Sequence, residues 1–297
     1  MSNFLNIINK NSFLYKFLKK ILPVRIKSYI FFIRDFYKNI KLKIPKFILS
    51  KCITNIKNRE GKNIYTMRNL GGSTAVRGLN MFMSDPEVTE WIDKFPKNSS
   101  LLDIGANVGM YTIYAAVVRN ATVYALEPES QNYSLLNKNI RLNKLDHIVS
   151  AYCIGLSDKN SLDYIFINNL TAGDANHAVG EPLNFELKSF NETIGFAQGC
   201  VTYTLDSLVE AQKLPVPDYV KIDVDGFEHK VVEGAKKTLK NKKIKSVIIE
   251  LNPNLSEHLA SVELLKSLGF KFSQDQVDKA ARKDGPFKGM SEYVFRR

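Results

Sequence analysis

Apolar positions follow two different periods from about residue 84 to the end of the chain. Short apolar runs, typical of buried strands, alternate with segments in which apolar residues recur every three or four positions, as in amphipathic helices. This alternation predicts a mostly parallel sheet with helices on both faces. The predicted strands are 100–104, 122–126, 148–154, 200–204, 218–224, 245–251, 270–274 and 291–296. The predicted helices are one capped by Asp85 and starting at Pro86, then 109–118, 130–142, 205–212, 228–240 and 255–268.

The first fifty residues differ from the rest of the chain. They carry eleven basic side chains and a single acid, Asp35, and so account for +10 of the net charge of +12. The spacing predicts two basic amphipathic helices, one ending near Pro23 and one over 26–40. We therefore divide the chain into a basic helical extension, 1–60, and a domain, 61–297, whose α/β core begins at about residue 85.

Three interpretations of residues 1–50 stay open. The helices pack on the domain, or they lie on an anionic membrane surface, as basic amphipathic helices do. Binding to nucleic acid ranks last. The three cysteines are far apart, and the first residues lack the features of a signal peptide. We expect a cytoplasmic protein, or one that is peripheral at the inner face of the membrane.

The segment D-I-G-A-N-V-G, residues 103–109, joins a predicted strand to a helix. Gly105 permits a tight turn, and Gly109 lets the helix pack close to the sheet. Glu127 follows the next strand, 22 residues after Gly105, where a carboxylate binds ribose hydroxyls. Asn107 stands where dinucleotide-binding folds have the glycine that admits a pyrophosphate. The pattern therefore favours a ligand with an adenosine and no phosphate over a nicotinamide cofactor.

A second group of polar residues follows the predicted strand 218–224. Lys221, Asp223 and Asp225 share one face of the strand because strand side chains have a period of two. Asp225 and Asp223 are the first candidates for a general base, followed by His229 and His177. Asp223, Asp225 and Glu250 would also suit a divalent cation. We favour pairing of these acids with Lys221 and assign no metal site.

Five segments resemble the FkbM family of methyltransferases and occur in that family's order. The resemblance covers roughly residues 85–297, and KIDVDGFE at 221–228 is its most specific part. It implies a class I methyltransferase fold, which is a Rossmann-like, seven-stranded, mostly parallel sheet with the last strand antiparallel. It also implies S-adenosyl-L-methionine as the cofactor. The segments are LLDIGANVGMYTIYAA, VYALEPESQNYSLLNKNI, YTLDSLVE, PDYVKIDVDGFEHKVVEGA and SVIIELNP.

The resemblance also implies roles for individual residues. The residues around the methionine end of the cofactor would be Asp103, Gly105, Ala106, Asn107 and Gly109. Glu127 would bind the ribose with Asn132 near it, and Ser157 and Asp158 would border the adenine. Asp225 matches the second acid of the family's KIDVDG block. Independently of the resemblance, the position of Asp223 deeper along the strand suggests contact with the cofactor as an alternative to a role as base.

We expect an O-methyltransferase that acts on a hydroxyl of a sugar, in a cell-surface glycan or a glycosylated metabolite. The alternatives are a lipid-linked or other membrane-associated acceptor, and a cofactor-binding regulatory protein without catalysis. The polar span 160–199 is predicted to be irregular. Thr171, Asp174, Asn176 and His177 within it either bind acceptor hydroxyls or belong to a solvated hairpin without a role.

Overall fold

A computed structural model describes residues 52–58, 60–70, 73, 74, 77, 82, 85–189 and 195–297. The two helices predicted within 1–50 lie outside these residues. A compact unit begins at Ile53, and residues Ile53–Lys57 form a strand paired with Asn63–Arg68. This strand lies within the range 1–60 that was predicted to be a helical extension. Among the described residues, no helix is both long and apolar enough to cross a bilayer.

Strands and helices alternate along the compact unit. The strands are β1 (Ile53–Lys57), β2 (Asn63–Arg68), β3 (Ser100–Ile104), β4 (Thr122–Leu126), β5 (Val149–Tyr152), β6 (Gly155–Leu156), β7 (Ser161–Ile167), β8 (Ala178–Val179), β9 (Phe196–Tyr203), β10 (Tyr219–Ile222), β11 (Ser246–Leu251) and β12 (Ser291–Arg296). The helices are α1 (Pro86–Asp93), α2 (Met110–Arg119), α3 (Ser130–Leu142), α4 (Leu205–Glu210), α5 (Glu228–Glu233), α6 (Lys236–Lys240), α7 (Ser256–Ser267) and α8 (Gln274–Ala280).

In the described part of the chain, six strands form the central sheet in the order β12-β11-β10-β3-β4-β5. Neighbours are parallel except β12, which runs antiparallel to β11, as the family resemblance implied. The implied seventh strand, predicted over 270–274, is reduced to one bridge between Lys271 and Arg296. It is short because α8 begins at once, with Val277 donating its backbone N–H to the carbonyl of Ser273 at 3.2 Å.

Both faces of the sheet are buried, as the apolar strands predicted. On β3, Leu101 packs into the hydrophobic cluster on the α1, α2 and α3 side, whereas Leu102 packs into the cluster on the opposite side. Tyr219 and Val220 divide in the same way on β10. Strand side chains alternate between faces, so Asp103 and Lys221 lie on the face of Leu101 and Tyr219. Register pairs Asp103 with Lys221.

The helix predicted over 228–240 is divided into α5 and α6 at Gly234. The carbonyl oxygen of Gly234 accepts the backbone N–H of Asp206 at 3.0 Å. The Asp206 carboxylate in turn accepts the backbone N–H groups of Lys237 and Thr238, at 2.9 and 2.7 Å. A side chain from α4 thus satisfies the first turn of α6, a long-range contact that periodicity does not reveal.

The span 160–199, predicted to be irregular, contributes most of a second sheet. Within the described residues its order is β6-β9-β7-β8, with β7 antiparallel to β9. The burial of β7 follows a period of two towards its end, where Ile165 and Ile167 are buried. This alternation was available in the sequence. After β7, residues 171–179 return to the carboxyl ends of the central strands.

Candidate functional site

The loop after β3 has the backbone geometry expected of its glycines. Gly105 has a φ of +75°, and a Cβ there would lie 1.8 Å from the carbonyl oxygen of Asp223. Gly109 has a φ of +87°, and a Cβ there would lie 2.4 Å from Cδ1 of Leu136 on α3. Glycine is therefore required at the first position for contact with β10 and at the second for the packing of α2 against α3.

Glu127 lies at the end of β4, beside this loop, and both of its carboxylate oxygens accept backbone hydrogen bonds. Oε2 accepts the N–H of Asn107 at 2.8 Å, and Oε1 accepts the N–H of Glu129 at 2.9 Å. Burial raises the pKa of Glu127 to about 7, although these two hydrogen bonds oppose the rise. The carboxylate is thus held rigidly, with lone pairs remaining on both oxygens.

A cavity opens at the carboxyl ends of β3, β4 and β10, with about 970 Å³ of empty space in and above it. The predicted residues that line it are Gly105, Ala106, Asn107, Glu127, Asn132, Ser157, Asp223 and Asp225. Four predicted residues, Asp103, Gly109, Asp158 and His229, are not among the described residues that line it. The lining also includes His177, Arg77 and Lys230; Arg77 and Lys230 were not singled out in the sequence.

Asp103 lies beneath the cavity rather than in its wall. It is buried, its Oδ2 accepts the hydroxyl of Thr112 at 2.5 Å, and its Oδ1 lies 3.7 Å from Nζ of Lys221. Burial raises the pKa of Asp103, and the Lys221 ammonium opposes that rise. In this structure Asp103 joins α2 to β10, and so positions the loop 105–109 from below.

Lys221 pairs with Asp223, as the sequence suggested, at 2.9 Å between Nζ and Oδ2. Burial would lower the pKa of Lys221, but the charges of Asp223 and Asp103 outweigh it and raise the pKa. Burial would likewise raise the pKa of Asp223, but pairing with Lys221 outweighs it and lowers the pKa. Asp223 therefore stays ionised at neutral pH and is a weak proton acceptor.

Asp225 has different surroundings, although it lines the same cavity. Its Oδ2 accepts the backbone N–H groups of Asn176 and His177, at 2.8 and 3.2 Å. Burial and then the nearby charge of Asp223 raise the pKa of Asp225 to about 6. At neutral pH most molecules have an ionised Asp225 that is a stronger proton acceptor than Asp223.

Two asparagines attach the segment 173–177 to the loop after β3. Asn107 and Asn132 donate their side-chain amides to the carbonyl of Asp174, at 2.8 and 3.2 Å. Oδ1 of Asn132 also accepts the N–H of Gly173 at 2.6 Å. Asn132, which was predicted to lie near a ribose, thus uses its amide to hold this segment over the cavity.

His177 is brought into the cavity by the same attachment. Its side chain is buried, and Nδ1 has no hydrogen-bond partner among the described residues. Burial lowers the pKa of His177, so the imidazole is neutral at pH 7. The sequence indicated this residue as a weaker candidate, and the tertiary structure gives it a position beside Asp225.

His229 lies on α5 away from the cavity, where its ring is 6.3 Å from that of Phe227 and 5.9 Å from that of His258. The structure therefore does not support the predicted catalytic role of His229. The acid that precedes it supports the loop before α5 instead: Glu228 accepts the N–H groups of Val224 and Gly226, at 2.8 and 3.1 Å.

His258 holds this loop from α7 and was missed in the sequence. Its Nδ1 accepts the N–H of Asn252 at 2.9 Å, which leaves Nε2 to donate to the carbonyl of Gly226, also at 2.9 Å. The residue is fully buried, and burial lowers its pKa, so that a neutral ring fits both hydrogen bonds. Its distance of 32 positions from Gly226 explains why no local pattern indicated it.

Further acids gather on the side of Asp223 that faces β11. Glu250 pairs with Arg282 at 2.5 Å, and Arg282 also reaches Asp85 at 3.4 Å. Burial and then the charge of Asp223 raise the pKa of Glu250 to about 7. The sequence placed Asp225 with Asp223 and Glu250, but the oxygen that lies close to those two belongs to Glu228. At Asp225 the backbone has a φ of +56°, and there the chain turns away from Asp223 and Glu250.

Comparisons with known proteins identify the family to which this chain is similar. The profile of the Methyltransferase FkbM domain matches residues 103–272. The chain is 26% identical over 197 residues to Methyltransferase 1 of Beauveria bassiana, covering 63% of this chain and 78% of that protein. It is 26% identical over 184 residues to the hexuronic acid methyltransferase AglP of Haloferax volcanii, covering 59% and 69%. Among solved structures, precorrin-6y C5,15-methyltransferase of Geobacter metallireducens matches at 14% identity with a TM-score of 0.40, covering 71% and 86%.

Proposed function

The chain belongs to the FkbM family of methyltransferases, and from this we propose that it transfers a methyl group from S-adenosyl-L-methionine to a hydroxyl of a sugar-like acceptor, with Asp225 as the general base. The cofactor class follows from the family. The acceptor class and the residue roles are the proposal. The proposal rests on one observation: Asp223 and Asp225 line the same cavity beside the loop 105–109, but the pKa of Asp223 is lowered and that of Asp225 is raised.

The residues that line the cavity suit the chemical groups of S-adenosyl-L-methionine. A side chain at Gly105 would fill the space against Asp223, so the glycine keeps the loop low beneath a ligand. Glu127 offers rigid acceptor oxygens for ribose hydroxyls. Ile154 and Leu156 give an apolar wall for the adenine, next to Ser157. Asp223 and the loop 105–107 would hold the methionine end.

When bound, the cofactor would supply an electrophilic methyl group on a sulfonium, whose sulfur leaves as a neutral thioether when the acceptor oxygen takes the methyl group. The protein has to align the acceptor oxygen and remove its proton as the new bond forms. Asp225 suits the second task because its pKa of about 6 lies just below neutral pH. Asp223 stays paired with Lys221, so it suits charge complementarity to the cofactor better than proton transfer.

The acceptor class rests on the wall formed by residues 173–177. This wall offers a neutral His177 beside Asp225, and cations from Arg77 and Lys230 also line the cavity. Such a set of donors and acceptors suits a polar, hydroxyl-bearing molecule. The similarity to a hexuronic acid methyltransferase points to the same class, and a cell-surface glycan or glycosylated metabolite is the acceptor we propose.

Methyl transfer from labelled S-adenosyl-L-methionine to a panel of neutral and uronic saccharides tests this function. We expect Asp225→Asn to keep cofactor affinity and to lose about 10²- to 10⁴-fold in single-turnover rate. Asp223→Asn should weaken cofactor binding as well, because it leaves Lys221 without this partner. Asp146→Asn, on the exposed surface, is the matched control. Near-normal turnover of Asp225→Asn would refute its assignment as the base, and transfer to none of the saccharides would refute the acceptor class.

A further inference from the structure

A row of acids crosses three neighbouring strands beside the cavity. Asp223 follows β10, Glu250 lies on β11 and Glu292 on β12. Glu250 and Glu292 are direct partners in the antiparallel register, so their side chains share one face of the sheet. Like charges directly opposite each other destabilise a sheet. Positive charge beside this row would relieve that repulsion.

Glu228 adds a fourth carboxylate from the loop side. One oxygen each from Asp223, Glu228 and Glu250 lie within 4.8 Å of one another. Carboxylate oxygens at this spacing are the donors that hard divalent cations prefer.

The neighbouring cationic side chains are fewer than the carboxyl groups. Lys221 contacts Oδ2 of Asp223, and Arg282 contacts Oε1 of Glu250. Four carboxylates thus face two cationic side chains within this group. Oδ1 of Asp223 and Oε2 of Glu250 remain available as ligands.

Glu292 provides an observation independent of that cluster. It is only 7% exposed, yet among the described residues its carboxylate makes neither a hydrogen bond nor an ion pair. The register with Glu250 directs it towards the same group. Ionising a carboxyl group in a nearly buried side chain without a protein partner is costly, and a cation beside it would remove that cost.

We propose that Asp223, Glu228, Glu250 and Glu292 bind a hard divalent cation, of the class of Mg²⁺, Mn²⁺ or Ca²⁺. The all-oxygen donor set disfavours softer metals such as Zn²⁺ and Cu²⁺. Asp223 also lines the cavity, so the cation would lie next to the space that we assign to the methionine end of the cofactor.

Direct titration tests the site without reference to methyl transfer. Full-length protein freed of metal with EDTA is titrated with MgCl₂, MnCl₂ and CaCl₂ by calorimetry at constant ionic strength. We expect at least one of these cations to bind at a single saturable site. Glu292→Gln and Glu250→Gln should each weaken binding by about 10- to 100-fold. Glu263→Gln, an equivalent change at an exposed acid paired with Lys266, should bind normally.

Two outcomes overturn the proposal. One is no saturable binding by folded wild-type protein up to about 10 mM, above the dissociation constants of weak protein calcium sites. The other is an unchanged dissociation constant in Glu292→Gln. Glu250→Gln could fail to fold because it loses the contact with Arg282. Glu292→Gln loses no ion pair among the described side chains, so it tests the site in a folded protein. An inactive protein that binds the cation would contradict the proposed function and leave the site standing.

Discussion

Replacing Glu127 by glutamine should weaken the binding of S-adenosyl-L-methionine while leaving the protein folded. The substitution keeps the shape of the side chain but removes its charge and one of its two acceptor oxygens. A hydrogen bond to a charged group contributes about 1.5–3 kcal/mol, so losing one such bond to the ribose should cost about 2 kcal/mol. This corresponds to an increase of about 30-fold in the dissociation constant.

The effect on stability follows from the same structure. Burial raises the pKa of Glu127 from 4.5 to about 7, so ionisation costs the folded state about 3 kcal/mol at pH 8. Because the folded pKa is raised, this cost grows as pH increases from about 4.5 to 7. Glutamine removes the cost, but it leaves one buried backbone N–H, of Asn107 or Glu129, without its acceptor, at about 1–3 kcal/mol. The two effects largely offset each other at pH 8.

Calorimetry with S-adenosyl-L-methionine and a thermal melt at pH 8 measure both quantities. Glu129→Gln is the matched control, because Glu129 caps α3 by accepting the N–H groups of Gln131 and Asn132 and is not among the described cavity-lining residues. It should lower the melting temperature, at a cost of about 1 kcal/mol for a weakened cap, without changing the affinity. Wild-type affinity in a folded Glu127→Gln protein would refute the ribose assignment.

Three further predictions concern other parts of the chain. Gly105→Ala should lower the free energy of unfolding, measured in urea, by more than ~1 kcal/mol beyond the loss caused by Gly61→Ala. Gly61 is the comparison because it has a similar φ of +79° but open space around it. Equal losses in the two variants would contradict the close approach of Gly105 to Asp223. With Asp225 as the base, the rate of methyl transfer should rise with pH to a plateau above about 6; a rate independent of pH between 5 and 8 would contradict that role. Deletion of residues 1–50 should leave cofactor affinity unchanged, and flotation of the full-length protein with anionic vesicles at low but not high salt would favour the membrane interpretation of this extension.

Much of the fold could be predicted from local pattern. The period of apolar residues indicated β3, β4, α3 and β12, because each buries its own apolar face whatever its partners are. Gly105, Gly109 and Glu127 were predicted as site residues for a similar reason, because each lies at a strand end or helix start that the local pattern locates. The break at Gly234 was missed because Asp206, far away in the chain, causes it.

The details of the site depended on contacts between distant segments. The sequence by itself determined which strand ends carry acids, including Asp223, Asp225 and Glu250. Only the tertiary structure decided that Asp225 turns towards residues 176–177 while Glu228 takes its place beside Glu250. It also placed Glu292 opposite Glu250 and left His229 out of the described cavity lining. The physical reason is that periodicity specifies the face of an element on which a side chain lies, whereas strand order, register and loop attachment specify which side chains meet there.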